Sequence, residues 1–147
     1  MPLYEFVTTA GTLTDEQRQT LAAEITRIHC GETGAPFEFV HVVFPELPKG
    51  LAYTAGRPGS PMLIRGQIRA GRSIEVRHSI MNQIYELVRE TTNADPMSII
   101  IAVVDFEPSH VMEGGFILPS TNAADEEAWI AAVSKAHGSA ADVNNQV

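Results

Sequence analysis

The chain has 147 residues, with 10 Lys and Arg against 18 Asp and Glu, a net charge of −8. That length suits one domain with a sizeable core, and the acidic balance argues against nucleic acid as the main partner. No apolar run approaches the ~20 residues of a membrane helix, no signal peptide is visible, and the one cysteine, Cys30, excludes an internal disulfide and fits a reducing cytoplasm.

In chain order, the first feature is Pro2 behind the initiator methionine. Aminopeptidases usually remove methionine before a small residue such as proline. The new terminus would be a secondary amine whose ring fixes its direction. An α-amino group titrates near ~8, and in a pocket it can act as base, acid or nucleophile. Leu3 to Thr8 reads as a strand. Thr14 and Gln17 have the spacing of a capping box. The helix they open has Leu21, Ile25 and Ile28 as its apolar face and is expected to end at Gly31 and Gly34. Phe37 to Phe44 reads as a second strand, stopped by Pro45, and Pro48 to Gly59 as turns.

The order then recurs. Met62 to Arg69 reads as a strand, Ser73 as a helix cap, and Ile80, Ile84, Leu87 and Val88 as the face of that helix, which ends at Asn93-Ala94-Asp95-Pro96. Ile99 to Val104 is a near-continuous apolar run, as expected of a strand buried on both faces or central in a sheet. The halves match at an offset near 59, with Pro2 on Pro61 and Thr14 on Ser73. The expected fold is therefore α/β (α+β). Two tandem βαβ units, about 2–59 and 61–119, form one four-stranded mixed sheet with two helices on one face, and 1–119 is a single domain. Residues 120–147 then supply a C-terminal helix, about Asp125 to His137, and a loose tail from Ser139 to Val147. Trp129 would anchor that helix to the body or to a neighbouring subunit.

A right-handed βαβ unit returns the end of its helix to the start of its first strand. If strands one and three pair antiparallel, residue 2 lies opposite about residue 69. Pro2, His29, Arg69, Arg72 and Glu113 then converge at one end of the sheet. Five of the eight arginines fall within the 21 residues from Arg57 to Arg77, where Glu75 is the only acid. A basic patch on an acidic chain suggests a small carboxylate ligand; Arg57, Arg65 and Arg77 read as solvated groups. At the opposite end the duplicated positions are Leu13 and Ala10, so one site per chain is expected. His29, near a helix C-terminus, suits the dipole as a cation. His41, His78, His110 and His137 show no ligand spacing, and no phosphate loop or dinucleotide fingerprint is present, so no metal or cofactor is expected.

Three stretches carry a resemblance: Ile28-His29-Cys30-Gly31-Glu32-Thr33-Gly34, Arg69-Ala70-Gly71-Arg72-Ser73, and Met112-Glu113-Gly114-Gly115 leading to Leu118-Pro119. With Pro2 they resemble the tautomerase superfamily, in the branch around cis-3-chloroacrylic acid dehalogenase, from Pro2 to Pro119. Gly71-Arg72-Ser73 and Glu46-Leu47-Pro48-Lys49-Gly50 also look like the short 4-oxalocrotonate tautomerases. The resemblance implies a homotrimer, Pro2 as the acid–base residue, His29, Arg69 and Arg72 as binders of a substrate carboxylate, and Glu113 as an activator of water. One departure stands out. The tyrosine that the dehalogenase pairs with the glutamate corresponds to Ala102, and a methyl group cannot hydrogen-bond; Tyr4 or Tyr53 are the candidates to replace it.

The implied activity is isomerisation of a small 2-oxo acid or its enol, with Pro2 as base and acid. The alternatives are a lyase that hydrates or dehalogenates 3-substituted acrylates through Pro2 and Glu113, carbon–carbon bond formation through a Pro2 enamine or iminium, and a non-catalytic trimeric binding protein.

Overall fold

Strand β1 (Leu3–Thr9) buries every second side chain, so that Tyr4, Phe6 and Thr8 face inward. Helix α1 (Asp15–Thr33) follows. Thr14 accepts from the Gln17 amide while its own amide donates to the Gln17 side chain, closing the capping box. After it come β2 (His41–Val43), β3 (Glu46–Leu47) and a hairpin of β4 (Tyr53–Thr54) and β5 (Arg57–Pro58). The second unit is β6 (Met62–Arg69), α2 (Ile74–Thr92) capped by Ser73, and β7 (Ile99–Phe106). A second hairpin, β8 (Met112–Glu113) and β9 (Phe116–Ile117), leads to α3 (Ala123–His137). The computed structural model describes residues 1–138, and the expected loose tail lies outside them. No helix among the described residues is long and apolar enough to cross a membrane.

The sheet runs in the order β2-β1-β6-β7, with β3 continuing along β1 beyond β2. β1 pairs antiparallel with β6 from Leu3↔Gln67 to Val7↔Leu63, and the β1–β2 and β6–β7 pairs are parallel. The expected mixed sheet with two helices on one face is therefore present, with β3 as a fifth strand beyond the four expected. Leu21 and Ile25 of α1, Ile80, Ile84 and Val88 of α2, and Tyr4, Phe6, Ile64 and Ile68 of the sheet form one core.

Four details differ from expectation. Gly31 lies inside α1, and only Gly34, at φ 73°, ends it. Residues Phe37–Phe39 form a 3₁₀ turn after Pro36, so β2 is confined to His41–Val43. One aromatic of that stretch serves packing: the Phe39 ring meets Trp129 edge-on at 5.0 Å. Gly56-Arg57-Pro58-Gly59 is not a plain turn, because Arg57–Pro58 pairs with Tyr53–Thr54. Lastly, β7 is an edge strand. Ile101 and Val103 pack on the core, while Ile100 and Val104 are 53% and 40% exposed on the open face. A continuous apolar run fits a strand buried on both sides and equally an edge strand with an uncovered face.

Gly66 has one necessity. A Cβ there would lie 2.5 Å from Cε1 of Tyr4, its direct cross-strand neighbour. Gly66→Ala is expected to cost about 1–3 kcal/mol of unfolding free energy in denaturant titrations, because the buried ring has to move.

Candidate active site

The β1–β6 ladder, extended by two steps, sets Pro2 opposite Ile68 and then Met1 opposite Arg69. This is one residue away from the expected pairing. The Pro2 carbonyl accepts the His41 amide at 3.0 Å, which ties the start of β1 to β2. α1 runs back antiparallel, so its last turns bring His29 under Tyr4, with the Tyr4 hydroxyl 2.9 Å from His29 Nδ1. β6 ends in Arg69, and Arg72 precedes the cap of α2.

Pro2, His29, Arg69 and Arg72 all line one narrow hollow, together with Met1, Phe39, Glu126 and Trp129. Glu113 lies beside the hollow without lining it. Its Oε2 is 3.5 Å from the Met1 ammonium, and its Oε1 is 3.0 Å from His41 Nε2. The five expected residues do come together at one end of the sheet.

Their electrostatics depart from expectation at His29. Only 3% exposed, it is held down to about 4 by burial first, then by the positive charges of Arg72, the N-terminus and Arg69. It is therefore neutral at physiological pH, not a cation capping the helix dipole. Burial pushes the Tyr4 phenol up, so Tyr4 keeps its proton. If the Tyr4 hydroxyl donates, Nδ1 is the acceptor and the His29 proton sits on Nε2.

Arg69, 8% exposed, donates to Glu126 Oε1 at 2.6 Å and to the carbonyls of Pro119 and Ser120 at 3.3 and 3.2 Å. Arg72 has no side-chain partner among the described residues. Burial and Arg69 lower its pKa, and Glu126 opposes them. Burial also lowers the Met1 amine, with Glu113 acting against that shift and Arg69 adding to it.

Sequence reasoning missed three residues here. Glu126 looks like an ordinary first-turn acid of α3, favourable to the helix dipole. His41 sits 72 residues from Glu113 and shows no local spacing. Phe39 hides in what reads as a strand. Trp129 anchors α3 to the body through Phe39, and its buried indole N–H has no partner among the described residues. A further tether joins His137 Nε2 to the Gly114 carbonyl at 2.6 Å. Neither candidate tyrosine reaches Glu113: Tyr4 is committed to His29, and Tyr53 is 62% exposed in the first hairpin. Ala102 lies on the open face of β7, beside Arg65. Within the described chain, His41 is the side chain bonded to Glu113. No group of three His, Cys, Asp or Glu among the described residues could hold a metal ion.

Because His29 binds a proton more weakly folded than unfolded, the unfolded state takes up more protons between its ordinary value of 6.5 and about 4. Stability is fully present above that window and is lost as pH falls through it, by roughly 3 kcal/mol. His29→Gln should remove this part of the pH dependence in urea titrations at pH 7 and pH 4; an unchanged slope would refute a neutral buried His29.

Residues 1–133 match the family described as "Putative oxalocrotonate tautomerase enzyme". The "Probable tautomerase LL0574" of Lactococcus lactis subsp. lactis (strain IL1403) is 42% identical over 43 residues, 29% of this chain and 70% of that protein. The crystal structure of native Ps01740 is 50% identical, covering 76% of this chain and 99% of its own, at a TM-score of 0.75. N1, a member of the cis-3-chloroacrylic acid dehalogenase family, is 26% identical over 95% of this chain and 99% of its own, at 0.86. Native fused 4-OT is 25% identical over 78% and 94%, at 0.70. With its paired βαβ units and a family match spanning residues 1–133, the chain belongs to the oxalocrotonate tautomerase family, within the tautomerase superfamily.

Proposed function

We propose that the protein is a proline-based isomerase that interconverts the keto and enol forms of a small 2-oxo acid. The observation that carries this reading is the meeting of Pro2 with His29, Arg69 and Arg72 around one hollow. Removal of Met1 would free the Pro2 nitrogen there. The burial that lowers the Met1 amine would act on Pro2 as well and favour a neutral base. The substrate carboxylate lies against the arginines. Pro2 takes the enol hydroxyl proton, the electron pair forms the C2 carbonyl as the double bond shifts, and the same proton is delivered to C3. The His29 Nε2–H and the Arg72 guanidinium supply donors for negative charge on the C2 oxygen.

Glu113 favours a second reading. Its Oε1 is oriented by His41 at 3.0 Å, beside the N-terminal amine. A carboxylate held this way can take a proton from water as the oxygen adds to C3 of a 3-haloacrylate. Protonated Pro2 then delivers a proton to C2, and the resulting halohydrin gives up its hydroxyl proton to solvent and expels halide as the C3 carbonyl forms. Halide release from cis-3-chloroacrylate that is lost in both Glu113→Gln and His41→Ala would support it.

The open face of the sheet, with Leu63, Ile100 and Val104 exposed, supports a homotrimer that covers it. The fused 4-OT structures that share this fold are trimers. Ile100→Asp should shift the protein toward monomer in sedimentation.

The direct test is ketonisation of phenylenolpyruvate by protein whose Met1 loss is confirmed by intact mass. Pro2→Ala should lower kcat/KM by about 10²-fold or more. Equal rates in the two proteins would overturn the isomerase reading, and protein that retains Met1 should be inactive.

A further inference from the structure

Arg69 enters the hollow already neutralised. Its two terminal nitrogens are committed to Glu126 Oε1 at 2.6 Å and to the carbonyls of Pro119 and Ser120. The side chains of Arg69 and Glu126 are 9% and 20% exposed, so solvent screens the pair poorly. Two guanidiniums and one carboxylate leave a single net positive charge at this end of the hollow, and the one without a partner among the described residues is that of Arg72. Glu126 is also felt at Arg72, where it opposes the effect of Arg69. Apart from the N-terminal amine, which lies 3.5 Å from Glu113 Oε2, the described wall carries no cation that could receive a second anion. Trp129, one helical turn beyond Glu126 on the same face of α3, presents its ring with Phe39 beside it, and its indole N–H is buried without a partner. Glu113, just outside, adds another negative charge.

We infer that Glu126 is a specificity-determining residue that restricts the hollow to singly charged 2-oxo acids with an apolar tail and rejects dicarboxylates. This rests on the reading of Arg72 and Arg69 as the carboxylate end of the site. Arg72 receives the one carboxylate, and Arg69 is held as a positioned neighbour by Glu126. The apolar tail lies against Trp129 and Phe39. A second carboxylate in this space would have to shed its water next to Glu126 with no free cation to replace it.

Trp129 is the only tryptophan, so its fluorescence reports ligand entry without requiring turnover. Met1-processed protein is titrated with two unreactive probes, 3-phenylpropionate as the monoanion and adipate as the dianion. The wild type should bind the monoanion at least about tenfold more tightly. Glu126→Gln, which keeps the shape and removes the charge, should shrink that preference by about tenfold or more, and Glu126→Asp should restore it. A ratio unchanged in Glu126→Gln overturns the inference. So does a wild type that binds adipate as tightly as the monoanion, or one whose fluorescence responds to neither probe, and these two results need no variant to fold. The expected shift in a protein that ketonises nothing would sink the isomerase reading and leave the charge rule standing. Turnover with an unshifted ratio would do the reverse.

Discussion

Five residue pairs, from Leu3↔Gln67 to Val7↔Leu63, join the two βαβ units through β1 and β6. Because the pairing is antiparallel, the start of the chain meets the end of β6, and the amino terminus comes to rest beside Arg69. Because β6 and β7 are parallel, Arg69 pairs with Phe106, and the chain leaving β7 returns Glu113 to the same end. α1 runs back along the sheet and delivers His29 there. A shift of this ladder by one residue would turn Tyr4 and Phe6 out of the core and take His29 from its partner. Gly66 guards the register, since only a residue without Cβ leaves room for the Tyr4 ring.

Charge is distributed unevenly around that meeting point. His29 is neutral, Arg69 is paired with Glu126, and Arg72 has no partner among the described residues. The amine at the chain start lies between burial, which disfavours its proton, and Glu113, which favours it. Neighbouring groups of opposite tendency are a means of keeping both protonation states of one amine within reach near neutral pH.

Much of this was legible in the sequence because it is local. The capping box at Thr14 and Gln17, the Ser73 cap, and the bounds of Met62 to Arg69 rest on neighbours within a few residues. The antiparallel pairing of the first and third strands is an assumption at the level of sequence; the register in the structure supplies it and brings five distant residues to one end of the sheet. What stayed hidden depended on contacts across the chain. Nothing near Glu126 in sequence announces Arg69, and nothing near His41 announces Glu113. The apolar run of β7 has the same composition whether its outer face meets protein or water, so its edge position could not be read from hydrophobicity. The aromatic residues at Phe37–Phe39 suggested a strand, yet one of them is spent on Trp129 across the hollow.

Helix α3 touches the rest of the molecule through contacts of three different kinds: the ion pair of Glu126 with Arg69, the ring contact of Trp129 with Phe39, and the bond from His137 to the Gly114 carbonyl. The first two border the hollow, and the third grips the turn next to Glu113. Swinging the helix away would break all three together, since they share one rigid rod. Access by that route is then a concerted event, with a rate set by the sum of three dissimilar contacts.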